Sequence, residues 1–170
     1  MRVEPATTAD VDAVVDAWVA LAGTQREHGS HLDAEANREA IRPILAHHVV
    51  DGSLLVARSA AGAVVGFVNV GLEAGSLAAD ARRGVIHNLY VEPSVRGEGV
   101  GSALLDAAEA LLADRGAAVV AIEAMAENVA ARRLYRRRGY APHRVQFEKL
   151  VGERSAERTT ATETDTSETE

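Results

Sequence analysis

Apolar residues in the first fifty positions recur at the spacing of amphipathic helices. A helix is predicted to begin near Thr8, because Thr7 and Asp10 have the spacing of a capping box. Its apolar residues fall on one face: Val11, Val14, Val15, Trp18 and Leu21. After a polar break, a second helix is predicted from Ala34 to His48, in which Pro43 should weaken or kink the helix.

Runs rich in β-branched residues predict the strands of the first half. A short first strand is predicted at residues 2–4. The apolar runs 53–58 and 63–70 are separated by the small residues 59–62, a pattern that predicts a hairpin. A third run, residues 84–91, should extend this hairpin into an antiparallel meander.

Helix and strand alternate in the second half of the chain. Apolar positions recur at helical spacing from Gly99 to Arg115, and residues 117–123 form a short apolar strand of the kind that is buried on both faces in a parallel arrangement. Together with strand 84–91 they predict a βαβ unit. Asn128 should cap a last helix, and residues 140–150 should close the sheet.

Composition narrows the class of protein. With 170 residues, 47% of them hydrophobic, the chain is long enough for one domain with a full core. The absence of cysteine excludes disulfides, thiol catalysis and thiolate-bound zinc. Residues 1–5 lack the apolar core of a signal peptide, and no segment reaches the length of a membrane span. We therefore expect a cytoplasmic protein.

The charge is distributed unevenly. The formal net charge is -7, and nucleic acids and anionic membranes both attract basic surfaces, so neither is an expected partner. Six acidic and two basic residues lie between Glu153 and Glu170, with almost no apolar ones. We therefore expect residues 153–170 to be an acidic disordered tail and residues 1–152 to be the folded domain.

Three glycines alternate within residues 96–102, between a predicted strand and a predicted helix. Glycine permits close approach of backbone and ligand, and the first N–H groups of a helix lack intrahelical partners, so this turn suits a phosphate or pyrophosphate. A P-loop is excluded because Ser102-Ala103 follows the last glycine and the only lysine is Lys149. The dinucleotide-binding fingerprint requires a glycine at position 102, where this chain has a serine, so it does not match. An ordinary glycine-rich turn is the remaining alternative.

Two motifs, in order, resemble those of a known family. The first is Arg96-x-x-Gly99-x-Gly101 after Leu89-Tyr90-Val91-x-Pro93, which is similar to the acyl-CoA signature of the GNAT superfamily of N-acetyltransferases. The second is Asn128-x-x-Ala131-x-x-Leu134-Tyr135-x-x-x-Gly139-Tyr140, which resembles that superfamily's last helix. The resemblance covers residues 2–150. It implies an α/β (α+β) fold, with a mixed, mostly antiparallel sheet of six or seven strands flanked by about four helices.

The resemblance implies a site for acetyl-CoA as co-substrate. The backbone of Leu89 and Val91 would pair with the pantetheine arm as an added strand does, and the Leu89 amide would be a candidate donor to the thioester oxygen. The implied cofactor-binding residues are Leu89, Tyr90, Val91, Arg96, Gly97, Glu98, Gly99, Val100, Gly101, Ser102, Asn128 and Tyr135. For Asn128, helix capping is an equally good explanation.

The implied reaction is direct attack of a neutral amine on the thioester, without an acyl-enzyme. Tyr135 matches the family's general acid, although a tyrosine at helical spacing can also belong to a core. The base stays open among Glu73, His87, a water held by Asn88, and Glu123. Glu123 and Glu73 follow predicted strands and would have raised pKa values if they were desolvated. His87 is more simply a satisfied histidine or a substrate contact.

Two further clusters have simpler explanations than their composition suggests. Four histidines mix a loop with a helix and lack a completing carboxylate pattern, so no metal is expected: His28, His31, His47 and His48. Five arginines of the last helix fit a solvated face, of which one or two would pair with the CoA 3′-phosphate: Arg132, Arg133, Arg136, Arg137 and Arg138. The resemblance also implies that the segment from Gln25 to His48, whose counterpart in the family lines the acceptor pocket, shapes the amine site.

We therefore expect an acetyl-CoA-dependent N-acetyltransferase that acts on a primary amine of a small molecule or peptide. A non-catalytic acyl-CoA-binding sensor or regulatory module is the alternative, and an interaction domain whose acidic tail recruits a partner is a third. The acceptor is not defined by the sequence, because a fold does not decide its substrate. Folds of this kind often pair through edge strands, so a homodimer stays open.

Overall fold

The computed structural model describes residues 1–73 and 81–151. The chain divides into two units, residues 1–139 and a second unit that begins at residue 140. The first unit contains every helix and strand that the structure describes. The acidic tail predicted for residues 153–170 lies outside the described residues, so its disorder stays a prediction.

A mixed sheet forms the centre of the first unit, with its strands in the order β1-β2-β3-β4-β5. Their bounds are β1 (Arg2–Pro5), β2 (Leu54–Arg58), β3 (Val64–Leu72), β4 (Arg83–Val91) and β5 (Val119–Ile122). Strands β1 to β4 are antiparallel neighbours, which confirms the predicted meander, and β5 is parallel to β4. The described chain therefore has five strands, and the prediction of six or seven was wrong.

Four α-helices accompany the sheet in the described part of the chain: α1 (Val11–Glu27), α2 (Arg38–Val50), α3 (Val100–Asp114) and α4 (Val129–Arg137). A short 3₁₀ turn, Thr8–Asp10, leads into α1 and contains the predicted capping box. Helix α2 begins later than predicted, because a turn precedes it in which Asp33 Oδ1 accepts from the N–H of Ala36 at 3.0 Å. It then continues through Pro43.

Each face of the sheet has its own hydrophobic core. On the α1–α2 face, Trp18 and Leu45 of the helices meet Phe67 of β3. On the α3 face, Leu104 of α3 packs in a cluster that includes Val68 of β3. Successive side chains of a strand point to opposite faces, which is why neighbours such as Phe67 and Val68 belong to different cores.

The strand predicted for residues 140–150 is wrong. Residues 140–151, the described part of the second unit, contain no strand. Val145 and Phe147, which alternate with polar residues, are 72% and 90% exposed. Alternation predicts a strand only where a neighbouring backbone completes the hydrogen-bond ladder, and the local pattern does not supply that neighbour.

Strand β5 also differs from its prediction. It was predicted to be buried on both faces, yet its residues are exposed or half-buried, and Val119 is 48% exposed. Its parallel pairing with β4 was predicted correctly. Because β5 is the last strand of the described sheet, it has a paired neighbour on one side and solvent can reach it from the other.

Candidate functional site

Strands β4 and β5 run side by side and then separate. Their pairing extends from Arg83 opposite Val119 to Ile86 opposite Ile122, and it stops there although β4 continues to Val91. A gap therefore opens beside residues 87–91 of β4, on the side of β5. We call this gap the slot.

The backbone of β4 directs hydrogen-bonding groups into the slot. The N–H of Glu92 donates to the carbonyl of Val65 beside β3 at 2.9 Å. In an antiparallel ladder, hydrogen-bonded pairs alternate, so Tyr90 also directs its backbone groups toward β3. The N–H and C=O groups of Leu89 and Val91 consequently face the slot. An extended ligand can pair with them as an added strand does.

Tyr90 points away from the slot. Its ring is buried on the α1–α2 face with its centroid 6.3 Å from that of Phe67, and its hydroxyl donates to Glu92 Oε2 at 2.9 Å. Burial, together with the neighbouring Glu92 carboxylate, raises the pKa of the Tyr90 hydroxyl. The structure therefore brings Leu89 and Val91 to the slot and leaves Tyr90 in the core.

The glycine turn lies directly beyond β4 and leads into α3. Gly97 and Gly99 have φ angles of +85° and +86°, a left-handed conformation that strains any residue with a side chain. A Cβ atom at either position would meet nothing within 4 Å, so the outer side of the turn is open. Arg96 and Glu98 are exposed, and Arg96 Nε donates to the carbonyl of Val91 at 3.0 Å.

The first turn of α3 supplies N–H donors next to these glycines. The N–H of Ala103 donates to the carbonyl of Gly99 at 3.0 Å, which is the first bond that α-helical geometry allows there. The preceding N–H groups, those of Val100, Gly101 and Ser102, have no intrahelical acceptor. The helix dipole is positive at this end, so the turn is suited to an anion.

Helix α4 packs beside the start of α3. A Cβ atom at Gly101 would lie 3.4 Å from Leu134 Cδ2, so a larger residue there would crowd α4. The predicted cap of α4 is present, because Asn128 Oδ1 accepts from the N–H of Ala131 at 3.0 Å. The contact at Leu134 places the second half of α4 beside the start of α3.

Tyr135 of α4 lies on the α3 face. It packs against the same hydrophobic cluster as Leu89, Val91 and Ile122, which border the slot. Burial raises the pKa of the Tyr135 hydroxyl to about 12. The hydroxyl therefore stays protonated at neutral pH.

The two predicted carboxylate bases occupy different places. Glu73 follows β3, and both of its carboxylate oxygens accept from Arg83 Nη1, at 3.0 and 3.1 Å, near the start of β4. Glu123 directly follows β5, where the two strands separate, and its side chain is exposed. The structure brings Glu123 to the slot and holds Glu73 in an ion pair at the other end of β4. Neither carboxylate is buried.

A polar cluster on the α1–α2 face was not predicted. Asn69 of β3 is 2% exposed, and its Oδ1 accepts from Asn88 Nδ2 at 2.8 Å. His87 lies beside Asn88, and its ring centroid is 5.8 Å from that of His48 at the end of α2. One signal was available in the sequence, a single amide side chain within the apolar run of β3. The other contacts join three separate elements, which spacing along the chain does not show.

The arginines of α4 and the arginine that follows it make different contacts. Arg138 pairs with Asp106 of α3, and Arg132 Nη1 donates to the carbonyl of Ala126 at 2.7 Å. A surface pocket is lined by Val129, Arg132, Arg133, Arg136 and Arg137.

Within residues 1–73 and 81–151, no group of three or more histidine, aspartate or glutamate side chains could hold a metal ion. No helix in these ranges is long and apolar enough to cross a membrane.

The structure thus combines a gap beside β4 with a glycine turn and a helix N-terminus, an arrangement that suits an extended, anionic ligand. The family model described as the acetyltransferase (GNAT) family matches residues 16–140. The chain belongs to the GNAT family of acetyltransferases. This finding confirms the resemblance inferred from the two sequence motifs.

Solved structures of this family share the fold. A GCN5-related N-acetyltransferase from Ralstonia eutropha JMP134 is 28% identical with a TM-score of 0.70, over 89% of this chain and 99% of that one. The PaiA N-acetyltransferase from Thermoplasma acidophilum, in complex with coenzyme A, is 16% identical with a TM-score of 0.70, over 85% and 92%. An aminoglycoside 6′-N-acetyltransferase from Acinetobacter haemolyticus is 20% identical with a TM-score of 0.59, over 89% and 100%. The comparison with curated proteins gives no match.

Proposed function

We propose that this protein transfers an acetyl group from acetyl-CoA directly to a primary amine of a small molecule or peptide. The observation that carries the proposal is the slot, because it combines strand-like backbone groups with an anion-binding helix end. Membership of the acetyltransferase family supports the class of reaction. The choice of donor, acceptor and residues below is our own inference.

The slot and the turn suit the two ends of a CoA thioester. The amides of the pantetheine arm would pair with the backbone of Leu89 and Val91. The pyrophosphate would accept from N–H groups between Gly97 and Ser102, with Arg96 at the start of the turn. The Asn128 side chain, at the start of α4, would be a further contact to the cofactor. The Thermoplasma relative, which holds coenzyme A, supports this at the level of the fold.

The chemistry needs a donor for the carbonyl oxygen and a donor for the departing sulfur. The N–H of Leu89, directed at the slot, would donate to the thioester oxygen as negative charge develops on it. The Tyr135 hydroxyl would donate to the sulfur. Because the pKa of Tyr135 is about 12 and that of a thiol is about 8.5, this hydroxyl stabilises a thiolate by hydrogen bonding more than by complete proton transfer.

The acceptor would enter between two loops on the side of the slot away from the turn. A Cβ atom at Gly29, in the loop after α1, would lie 3.9 Å from Met125 Cε in the loop after β5. The segment 25–48 would thus border the amine site, and Glu123 is the carboxylate candidate for its base. The aminoglycoside relative makes aminoglycosides one class of acceptor to test. A cytoplasmic location and a homodimer stay predictions.

Thiol release from acetyl-CoA tests the proposed function. The protein is assayed with polyamines, aminoglycosides, amino acids and peptides with free N-termini, and acetyl-CoA affinity is measured by calorimetry. Tyr135→Phe should lower kcat about 100-fold and leave the affinity for acetyl-CoA unchanged, because the hydroxyl acts only as the sulfur departs.

Three other outcomes would count against the proposal. Unchanged turnover in Tyr135→Phe would remove the role of this hydroxyl. Binding of acetyl-CoA without thiol release across the whole panel would instead identify a non-catalytic acyl-CoA sensor. A protein that does not bind CoA would contradict both functions and favour an interaction domain.

A further inference from the structure

Hydrogen bonds connect the end of α2 to the buried start of β2 on the α1–α2 face. Ser53, which is 1% exposed, donates its hydroxyl proton to Asp51 Oδ1, and its Oγ lies 2.6 Å from His48 Nδ1. A hydroxyl has one proton and a carboxylate can only accept, so His48 Nδ1 must be the donor to Ser53. In its neutral form, His48 therefore carries its free lone pair on Nε2.

His87 lies next to this group because of two features of the sheet. It is the extra residue at the register shift between Asn69 and Val70 of β3, which makes a β-bulge in β4. It also lies over a glycine, since a Cβ atom on Gly71 would be 2.7 Å from His87 Nε2. The ring is tilted by 49° to that of His48. We call Asp51, Ser53, His48 and His87 the relay.

The relay reaches the slot at the place where an amine would approach. His87 is the first residue of β4 after its pairing with β5 ends at Ile86. It precedes Leu89 by two residues, about 7 Å along a strand. Its ring lies with His48 on the α1–α2 face, whereas Tyr135 packs on the α3 face. His87, which would accept a proton from the nucleophile, and Tyr135, which would donate to the leaving sulfur, would thus lie on opposite faces of the sheet.

We propose that His87 is the base that takes a proton from the acceptor ammonium, and that His48, Ser53 and Asp51 position its ring and relay the proton toward solvent. This inference rests on the proposed function. The ammonium group gives one proton to His87, and the resulting amine forms a C–N bond as the C–S bond breaks. The sulfur leaves with the electron pair of that bond and takes the second proton, and the first proton passes to water.

The electrostatic surroundings keep the relay available as a base. Desolvation lowers the pKa of His87 and of His48. For His48, the nearby Asp51 carboxylate opposes this shift, while His87, His47 and Arg115 add to it. Glu123 follows Ile122, the β5 partner of Ile86, just as His87 follows Ile86 in β4. For His87 itself, burial is the cause of the lowered pKa. Both imidazoles are therefore neutral at pH 7, and His87, whose side chain is exposed to solvent, can be reached by a substrate.

The dependence of kcat/KM on pH tests the relay, with acetyl-CoA and the amine found by thiol release. With a working base the rate should form a plateau through neutral pH, because the charged amine binds and is then deprotonated. The His87→Gln variant can react only with amine that is already neutral in solution, so its kcat/KM should rise with pH up to the pKa of the amine. At pH 7.5 we expect a loss of about 1,000-fold for a lysine-type amine, with a pKa of about 10.4, and under about tenfold for an α-amine near 7.8.

Further variants separate base chemistry from structure. Ser53→Ala and His48→Gln should lower kcat about tenfold and leave KM unchanged, since they act through His87. In Gly71→Ala the added methyl group would clash with the tip of the His87 ring, so the protein should still fold. Because the ring is displaced, the variant should show the pH profile of His87→Gln. His143→Gln, at an exposed histidine outside the relay and outside segment 25–48, is the control and should keep the wild-type plateau.

Each contrary result has a distinct meaning. A His87→Gln protein with the wild-type plateau and rate would overturn the relay and leave the proposed function intact. If Glu123→Gln removes the plateau and His87→Gln does not, the base is the carboxylate and the relay is wrong. If the wild-type protein binds acetyl-CoA and transfers nothing, the proposed function fails and the relay fails with it.

Discussion

At the scale of single residues, a left-handed glycine marks a turn and does not by itself mark a ligand. Gly62 in the β2–β3 hairpin has a φ of +84°, and Gly99 before α3 has a φ of +86°. A Cβ atom at either position would meet nothing within 4 Å. Their surroundings differ, because Gly99 begins a helix beside the slot and Gly62 closes a hairpin. The two glycines are therefore a matched pair for testing the cofactor turn.

Gly99→Ala and Gly62→Ala should each lower the free energy of unfolding by about 1–2 kcal/mol, because both force an alanine into the left-handed region. Gly99→Ala should also weaken acetyl-CoA binding, since a distorted turn misdirects the N–H groups at the start of α3. Urea unfolding and calorimetry measure the two effects. If both variants bind acetyl-CoA as the wild type does, the pyrophosphate lies elsewhere.

Residues also show where prediction from sequence ends. The cap at Asn128 was predictable because the acceptor and the donor, Ala131, are three residues apart. The sequence also placed His48 on a helix and His87 on a strand, which is correct. Their contact was not predictable, because it depends on where α2 ends over the sheet and on a bulge that shifts the register at His87. Those features come from tertiary packing.

At the scale of elements, the amphipathic pattern predicted the helices well and the outer strands poorly. The stripe of α1 was correct, with Val14, Val15 and Trp18 all buried. The separation of β4 from β5 was not visible in the residues, because both runs remain apolar and β-branched up to that point. A helix satisfies its own backbone, so its pattern is local. A strand depends on a neighbour, so alternation in residues 140–150 predicted a strand that is absent.

Helix α4 offers a test that separates capping from cofactor binding. Asn128→Ala should destabilise the protein by about 1 kcal/mol, because the N–H of Ala131 loses its acceptor, whereas Asn128→Ser keeps a capping oxygen and should retain most of the stability. We expect acetyl-CoA affinity to fall in both variants, because serine lacks the amide that would reach the cofactor. Thermal unfolding and calorimetry check this. Full affinity in Asn128→Ser would restrict Asn128 to its capping role.

At the scale of the whole molecule, the two faces of the sheet carry two different groups of candidate functional residues. Its α3 face carries the glycine turn and Tyr135, and its α1–α2 face carries the polar cluster around His87. The motifs from which the family was predicted lie in the first group, on α3, α4 and β4. The second group has no such motif in the sequence. This division explains why the sequence indicated a donor and left the acceptor side undefined.

The fold also depends on one buried ion pair that joins the start of the chain to the sheet. Asp10 Oδ2 accepts from the N–H of Thr7 at 2.8 Å and from Arg58 Nη2 of β2 at 2.7 Å, and Arg58 Nε also donates to Glu4 of β1 at 2.5 Å. Burial acts to raise the pKa of Asp10, but the hydrogen bonds from Thr7 and Arg58 outweigh it, so the pKa is lowered. The charged form is therefore the one that stabilises the folded state.

A lowered pKa fixes the direction of the pH dependence. Asp10 is ionised in both states above the unfolded value of about 3.9, so its contribution to stability is complete there and is lost as the pH falls through the lower, folded value. Asp10→Asn should cost about 2 kcal/mol at pH 7, because Arg58 keeps Glu4 but loses its charge-assisted hydrogen bond to the buried Asp10 carboxylate. The difference from wild type should shrink below about pH 4.

Urea unfolding at several pH values measures this difference. Asp12→Asn is the control, because Asp12 pairs with Arg42 on the surface with its side chain 81% exposed, and it should change stability by less than about 1 kcal/mol. Equal stability of Asp10→Asn and wild type at pH 7 would mean that the desolvation of the Asp10 carboxylate cancels its ion pair. The link between β1, α1 and β2 would then rest on apolar packing alone.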